Sequence, residues 1–214
     1  MKQLNEKKTI IFLSFLLILS PIVSMGQRVE VSPYAGYMFA GKLNFVEGSM
    51  NIKNNPNYGV IFNFELDRRN GLFLELSYDR LDTKATFKPT GEFQPEYNLF
   101  DMFLEYYQLG ALYNYPISRK ASTFAVFTGG VARFAPVSAI YGDDYRFAVT
   151  FGGGVKYFVT QNFGFRLEGR LKVPFFFNGG SFYVGSGGTG FFMTSGTALL
   201  QSDISVGLIF RFGK

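Results

Sequence analysis

Few residues in this chain are equipped for chemistry. It has no His and no Cys. That removes the commonest general base, the thiolate nucleophile and the nitrogen or sulfur ligands of a structural zinc site. Carboxylates remain. Glu75 and Asp79 stand four residues apart, two pleats of a strand, and such a pair can divide acid and base work. The plainer reading is that each neutralises an Arg or Lys. The run G-S-G-G-T-G at 185–190 matches G-x-G-x-x-G letter for letter. That pattern holds a pyrophosphate only between a strand and a helix, and here it lies in a Gly/Ser/Phe-rich stretch that reads as a surface loop. Asp143 and Asp144 offer oxygen ligands to a hard cation, but read more simply as a solvated turn. The sequence therefore predicts no catalytic residue, no cofactor and no metal, in a non-enzymatic protein.

The elements that must position these residues are strands. After residue 28 the apolar residues alternate, and no long stretch repeats at three and four. In 201–212, Ile204, Val206, Leu208, Phe210 and Phe212 share a face opposite Asp203, Ser205, Gly207 and Arg211; Ile209 alone breaks the rule. In 163–173, Phe163, Phe165, Leu167, Leu171 and Val173 oppose Arg166, Glu168, Arg170 and Lys172. Six further segments alternate less cleanly: 28–40, 57–66 (with Glu65 on the polar side), 71–81 (with Glu75 and Asp79), 101–115, 122–134 and 145–158. Glu105 falls on an apolar parity. In 122–134, Phe124, Val126, Ala132 and Phe134 form the apolar set and Arg133 the opposite face; in 145–158, Arg146 and Lys156 are polar-side. Eight strands result. Their connections alternate between short polar turns (67–70, 116–120, 160–162) and long loops (41–56, 82–100, 135–144, 174–198).

The first residues read as a secretory signal: Lys2, Lys7 and Lys8, then an apolar run over 9–20, then Ser24 and Gly26 before Gln27. The run is short for a membrane-spanning helix and Pro21 interrupts it. Removing 1–26 leaves 18 basic and 15 acidic residues, an unclustered balance that argues against nucleic acid. With 47% apolar residues the chain can bury a core.

Alternation alone does not say which face looks inward. A soluble lipocalin-like carrier also has eight strands, with its apolar face inside. Three features favour a membrane barrel. Charges of both signs gather on the polar face with glycine; aromatics recur near strand ends, as in Tyr37/Phe39, Tyr113/Tyr115 and Phe210/Phe212; and loop lengths are asymmetric. In lipid every backbone polar group must be paired, which requires a closed barrel. The expected lumen network is Glu65, Glu75, Asp79, Arg133, Arg146, Lys156, Arg166, Glu168, Arg170, Lys172, Asp203 and Arg211. Eight strands leave room for little else. Phe175, Phe176, Phe177, Phe182, Tyr183, Phe191 and Phe192 crowd the fourth long loop. Exposed rings in such number suggest a contact surface for a protein, glycan or hydrophobic ligand.

The opening strand V-S-P-Y-A-G-Y at 31–37 and the closing S-V-G-L-I-F-R-F at 205–212 resemble those of the small outer-membrane β-barrel proteins of the OmpA-transmembrane-domain and OmpX type. The resemblance covers about 27–214. It implies an all-β, eight-stranded antiparallel up-and-down transmembrane barrel, preceded by a cleavable signal peptide over 1–26. It also implies outer-membrane lipid as surroundings, an insertion machinery that reads the last strand, and both termini in the periplasm. The expected role is structural, or surface recognition through the long loops. A conduit for small hydrophobic molecules and an accessory barrel of a secretion system are the alternatives.

Overall fold

The computed structural model describes residues 28–45, 48–89, 95–137, 142–176, 180–185, 188–193 and 197–213. The expected signal peptide and Phe177 lie outside them. The regular elements among the described residues are all strands: β1 (Val29–Phe39), β2 (Lys42–Phe45), β3 (Gly48–Ile52), β4 (Asn55–Asp67), β5 (Leu72–Pro89), β6 (Tyr97–Pro116), β7 (Ala121–Pro136), β8 (Asp144–Phe158), β9 (Phe163–Phe176), β10 (Gly180–Gly185), β11 (Gly188–Met193), β12 (Thr197–Ala198) and β13 (Gln201–Phe212). Eight of these close a ring in the order β1, β4, β5, β6, β7, β8, β9, β13. Every neighbouring pair is antiparallel, and β13 returns to β1 through Val31↔Phe210 and Tyr37↔Ile204. Closure leaves the ring no free edge.

Each short turn is held by one polar side chain whose oxygen accepts N–H groups just ahead of it. Asp67 accepts from the backbone of Arg69 (2.9 Å) and Asn70 (3.2 Å). Ser118 accepts from Lys120 and Ala121, and Thr160 from Asn162 and Phe163. The Asn70 side chain, with its backbone N–H, draws the Asp67 carboxyl below the usual carboxylate range. Gly71 closes the first turn at φ +68°, where an added Cβ would sit 2.2 Å from the Asn114 carbonyl oxygen.

The other end is longer than the alternation suggested. β5 has 18 residues and β6 has 20, against about 9–11 needed to cross a bilayer. Much of 82–100, expected as loop, is a continuation of these strands. Within 41–56, also expected as loop, β2 pairs with β3 and β3 adds to β5 (Asn51↔Thr86). Glu96 ties this wall together, accepting from Lys53 Nζ (2.8 Å), Asn51 Nδ2 (3.3 Å) and the Thr86 hydroxyl. Lys53, then Thr86, hold its carboxyl down to about 2. A depressed carboxyl stabilises the fold above its unfolded pKa and loses that contribution as pH falls through the folded one. The Glu96 carboxyl carbon is expected to titrate near 2 by NMR, in place of the ordinary 4.5.

The faces sort as a lipid-embedded barrel requires. Tyr37, Leu76, Tyr113, Phe151, Leu167 and Val206 are exposed on the outside, while Glu30, Glu75, Asp79, Lys156, Arg166, Glu168, Arg170, Lys172 and Asp203 are buried inside. A soluble carrier with an apolar cavity is thereby overturned. One strand is turned over relative to the sequence reading. On β7 it is Phe124, Val126, Ala132 and Phe134 that point inward and are buried, and Phe127 and Val131 that point outward. Arg133 is therefore outside the lumen. The reason is that both faces of β7 are largely apolar, so its parity follows its partners: Ala132 sits between Tyr106 of β6 and Arg146 of β8.

Candidate functional site

The lumen is filled by three ionic layers stacked from the short turns towards the long loops. At the turn side Glu30 accepts from Lys156 Nζ (2.7 Å) and Arg211 Nη2 (2.8 Å). Lys156 lies over the Phe73 and Phe124 rings, and Arg211 over Phe158 at 3.6 Å. These rings stand in for the water the cations have lost. In the middle, Arg166 and Arg170 bridge two carboxylates. Glu75 receives them at 3.1 and 2.7 Å, Glu168 at 2.7 and 3.2 Å. Above, Lys172 joins Asp79 to Asp203 (2.6 Å to the latter), and Asn57 Nδ2 donates to both, at 3.0 and 3.2 Å. Lys156, Arg166, Arg170, Lys172 and Arg211 thus balance Glu30, Glu75, Asp79, Glu168 and Asp203 within a neutral column.

A fourth layer has no charge. Met38, Leu81, Met102, Leu104, Phe134 and Leu199 pack across the loop-side lumen, with Ala40, Ala85, Ala132 and Ala148 between them. Tyr106 donates to Gln201 at its lower edge, and Gln201 Nε2 donates to the Ala40 carbonyl at 2.7 Å. The ionic column is therefore capped by an apolar stopper.

The expected lumen residues divide as follows. Glu75, Asp79, Lys156, Arg166, Glu168, Arg170, Lys172, Asp203 and Arg211 meet in the column. Glu65 lies inward but near the turns, bound by Arg68 (3.0 Å) and more loosely by Arg28 (3.9 Å). Arg146 sits at the loop-side rim and pairs with Asp144 (2.8 Å). Arg133 is the correction. It lies on the outer surface, paired with Glu105 (2.8 Å) and Asp143 (2.7 Å). There Glu105, the carboxylate on an apolar parity, also accepts from Tyr78 (2.9 Å), Tyr107 (3.3 Å) and Arg80 (3.4 Å). Asp143 and Asp144 are each occupied by a guanidinium, which removes the simplest reading of them as cation ligands. Sequence reasoning missed Glu30, the one charge on the inward parity of β1, and the amides Asn57 and Gln201. Alternation with Val29 and Val31 was the available signal for Glu30.

In the fourth loop, the Phe175 ring stacks with Phe147 at 6.2 Å. Phe176 pairs with Thr197 in the short β9–β12 ladder. The β10–β11 hairpin sets Phe182 opposite Phe191, Tyr183 opposite Gly190 and Ser181 opposite Phe192. Of the glycine motif at 185–190, Gly185 ends β10 and Gly188–Gly190 begin β11, so its described residues are strand. The helix that a dinucleotide cradle requires is not among the described residues beside it.

Chemically the column is a neutralised plug. Glu75 and Asp79 are clamped by cations and buried, so neither is placed as a free base. No family model matches the sequence, and no curated protein matches it. Solved structures do. Neisserial surface protein A (NspA) is 15% identical, with 87% of this chain and 97% of that one covered and a TM-score of 0.53. The outer-membrane protein OprG of Pseudomonas aeruginosa is 10% identical, with 88% and 97% covered and a TM-score of 0.51. Closed antiparallel ring, charged interior and apolar exterior agree with that likeness: the chain has the fold of the small eight-stranded outer-membrane β-barrels.

Proposed function

We propose that residues 1–26 export the chain and that the barrel inserts in a bacterial outer membrane with its short turns in the periplasm. There it acts without catalysis, presenting its long-loop side for recognition of a surface protein or glycan. The observation that carries this reading is the contrast between the two ends over a filled lumen. The ionic column and its apolar stopper fill the axis. Meanwhile β5, β6 and the β2–β3 ladder raise a wall on one side, and the aromatic-rich segment between β9 and β12 carries the β10–β11 ladder. Material built beyond the bilayer contributes nothing to spanning it, and such loop regions are where binding concentrates. The conduit alternative needs an opening that the packed lumen does not offer along its axis.

Deleting 178–190 is the test. The barrel is expected to keep its gel shift between unboiled and boiled samples. Cells displaying the deletion variant are expected to lose attachment to an array of glycans and matrix proteins relative to cells displaying the full chain. Equal attachment by both would remove the recognition role of this segment.

A further inference from the structure

The short-turn mouth gathers a different chemistry. A recess of about 780 Å³ opens there, lined by Arg28, Arg119, Lys120, Phe158, Asn162 and Arg211 among others. Among the described residues, no acidic side chain lines it. Acidic side chains at the same end of the barrel are already committed: Glu30 to Lys156 and Arg211, Glu65 to Arg68 and loosely Arg28, and Asp67 to its own turn. Arg119 and Lys120 are exposed and have no ion-pair partner among the described residues. Arg211 is fixed in place, its guanidinium over Phe158 and its Nε and Nη2 on Glu30. Its Nη1 makes no hydrogen bond among the described residues.

The arrangement is elongated. Arg119 and Lys120 stand on the turn between β6 and β7, while Arg28 and Arg211 stand where β1 meets β13, on the far side of the ring. The turn at 159–162 lies between these two groups. Cations at both ends of a concave surface with no acidic side chain among its described lining focus a positive field into it. Arginine forks are matched to carboxylate and phosphate alike, so the choice between them rests on how the ligand reaches the recess. The floor is Phe158, an inward-facing residue. An anion entering along the barrel axis reaches it, whereas a phospholipid anchored outside the wall would have to arch its headgroup over the turns.

We infer that this mouth binds a soluble multivalent carboxylate, of the kind an acidic peptide segment carries. The site stands on geometry alone; only the compartment of its ligand rests on the orientation proposed above.

The test uses the full chain, expressed with its leader, purified from membranes in neutral detergent and titrated into fluorescein-labelled hexaglutamate. Saturable binding that weakens with added salt is expected. The double variant Arg119→Gln/Lys120→Gln is expected to weaken it about tenfold, as loss of two uncompensated contacts should. Lys84→Gln/Lys88→Gln, on the opposite end, is expected to leave it unchanged, and the gel shift verifies folding of both. Equal affinity in the mouth variant, or equal loss in the control, would overturn the site. Loss of co-purifying anionic phospholipid from the mouth variant, without peptide binding in the parent, would overturn it in favour of lipid. Orientation is read separately. Ser118→Cys, in a chain with no other Cys, is expected to react with an impermeant maleimide only after the outer membrane is opened. Labelling of intact cells would reverse the orientation and leave the binding result standing.

Discussion

Replacing Glu75 with Leu is expected to destabilise the barrel by about 3–5 kcal/mol, the cost of stranding a buried charge after its partner is removed. Glu75 is fully buried and receives both Arg166 and Arg170. Without it, two guanidiniums share Glu168 in a site that water does not reach. The urea midpoint for folding into detergent micelles measures the effect. The second half of the experiment separates charge from packing. In Glu75→Leu/Arg170→Leu a single Arg166–Glu168 pair remains, and neutrality returns. Well-packed apolar residues can replace a buried ion pair at little cost, so the double variant is expected to regain at least half of the loss. Two losses that simply add would mean that the residues act independently and that the column is not an electrostatic unit.

Val206→Arg is expected to cost about 2–4 kcal/mol in lipid, the range for a basic residue at the midplane of a barrel's outer face. Val206 lies midway along β13 on its exposed face, flanked by Ile204 and Leu208. On the surface of a water-soluble protein the same change would fall within about 0.5 kcal/mol. Folding into phosphatidylcholine vesicles against urea, with Val206→Leu as reference, gives the number. A near-neutral result would mean that this face meets water, and would undo the membrane reading whatever the state of the lumen.

The strands most legible in the sequence were those whose two faces differ in kind. β9 and β13 carry charges on one parity and aliphatics or rings on the other, so most of their inward residues could be named, Gln201 being the exception. β7 carries apolar residues on both, and there the parity rule chose wrongly and put Arg133 inside. Its orientation is set by register with β6 and β8, which is information about neighbours. The same limit hid the loop-side stopper. Met38, Leu81, Leu104 and Phe134 come from four different strands, and nothing local marks them as one layer. The lengths of β5 and β6 were underestimated because a strand that has left the bilayer no longer needs an apolar outer face. Residues 82–89 alternate poorly for that reason. Most of the ionic partners were readable, Glu30 being missed and Arg133 wrongly included, while who meets whom depended on how the ring closes.

The pairing across the column has a bearing on assembly. Glu30 meets Lys156 and Arg211, 126 and 181 positions further along the chain; Glu75 meets Arg170 across 95, and Asp79 meets Lys172 across 93. Every one of these contacts joins an early strand to a late one. An open sheet of β1 to β7 holds Glu30, Glu75 and Asp79 but none of their cations. Until β9 and β13 arrive, those carboxylates must stay hydrated, so the nascent sheet keeps a wet concave face however well its outer face suits lipid. Dehydration of the interior and the pairing of β13 with β1 then become a single late event. A chain stalled before it is a water-lined trough, and the barrel goes dry only when its first and last strands meet.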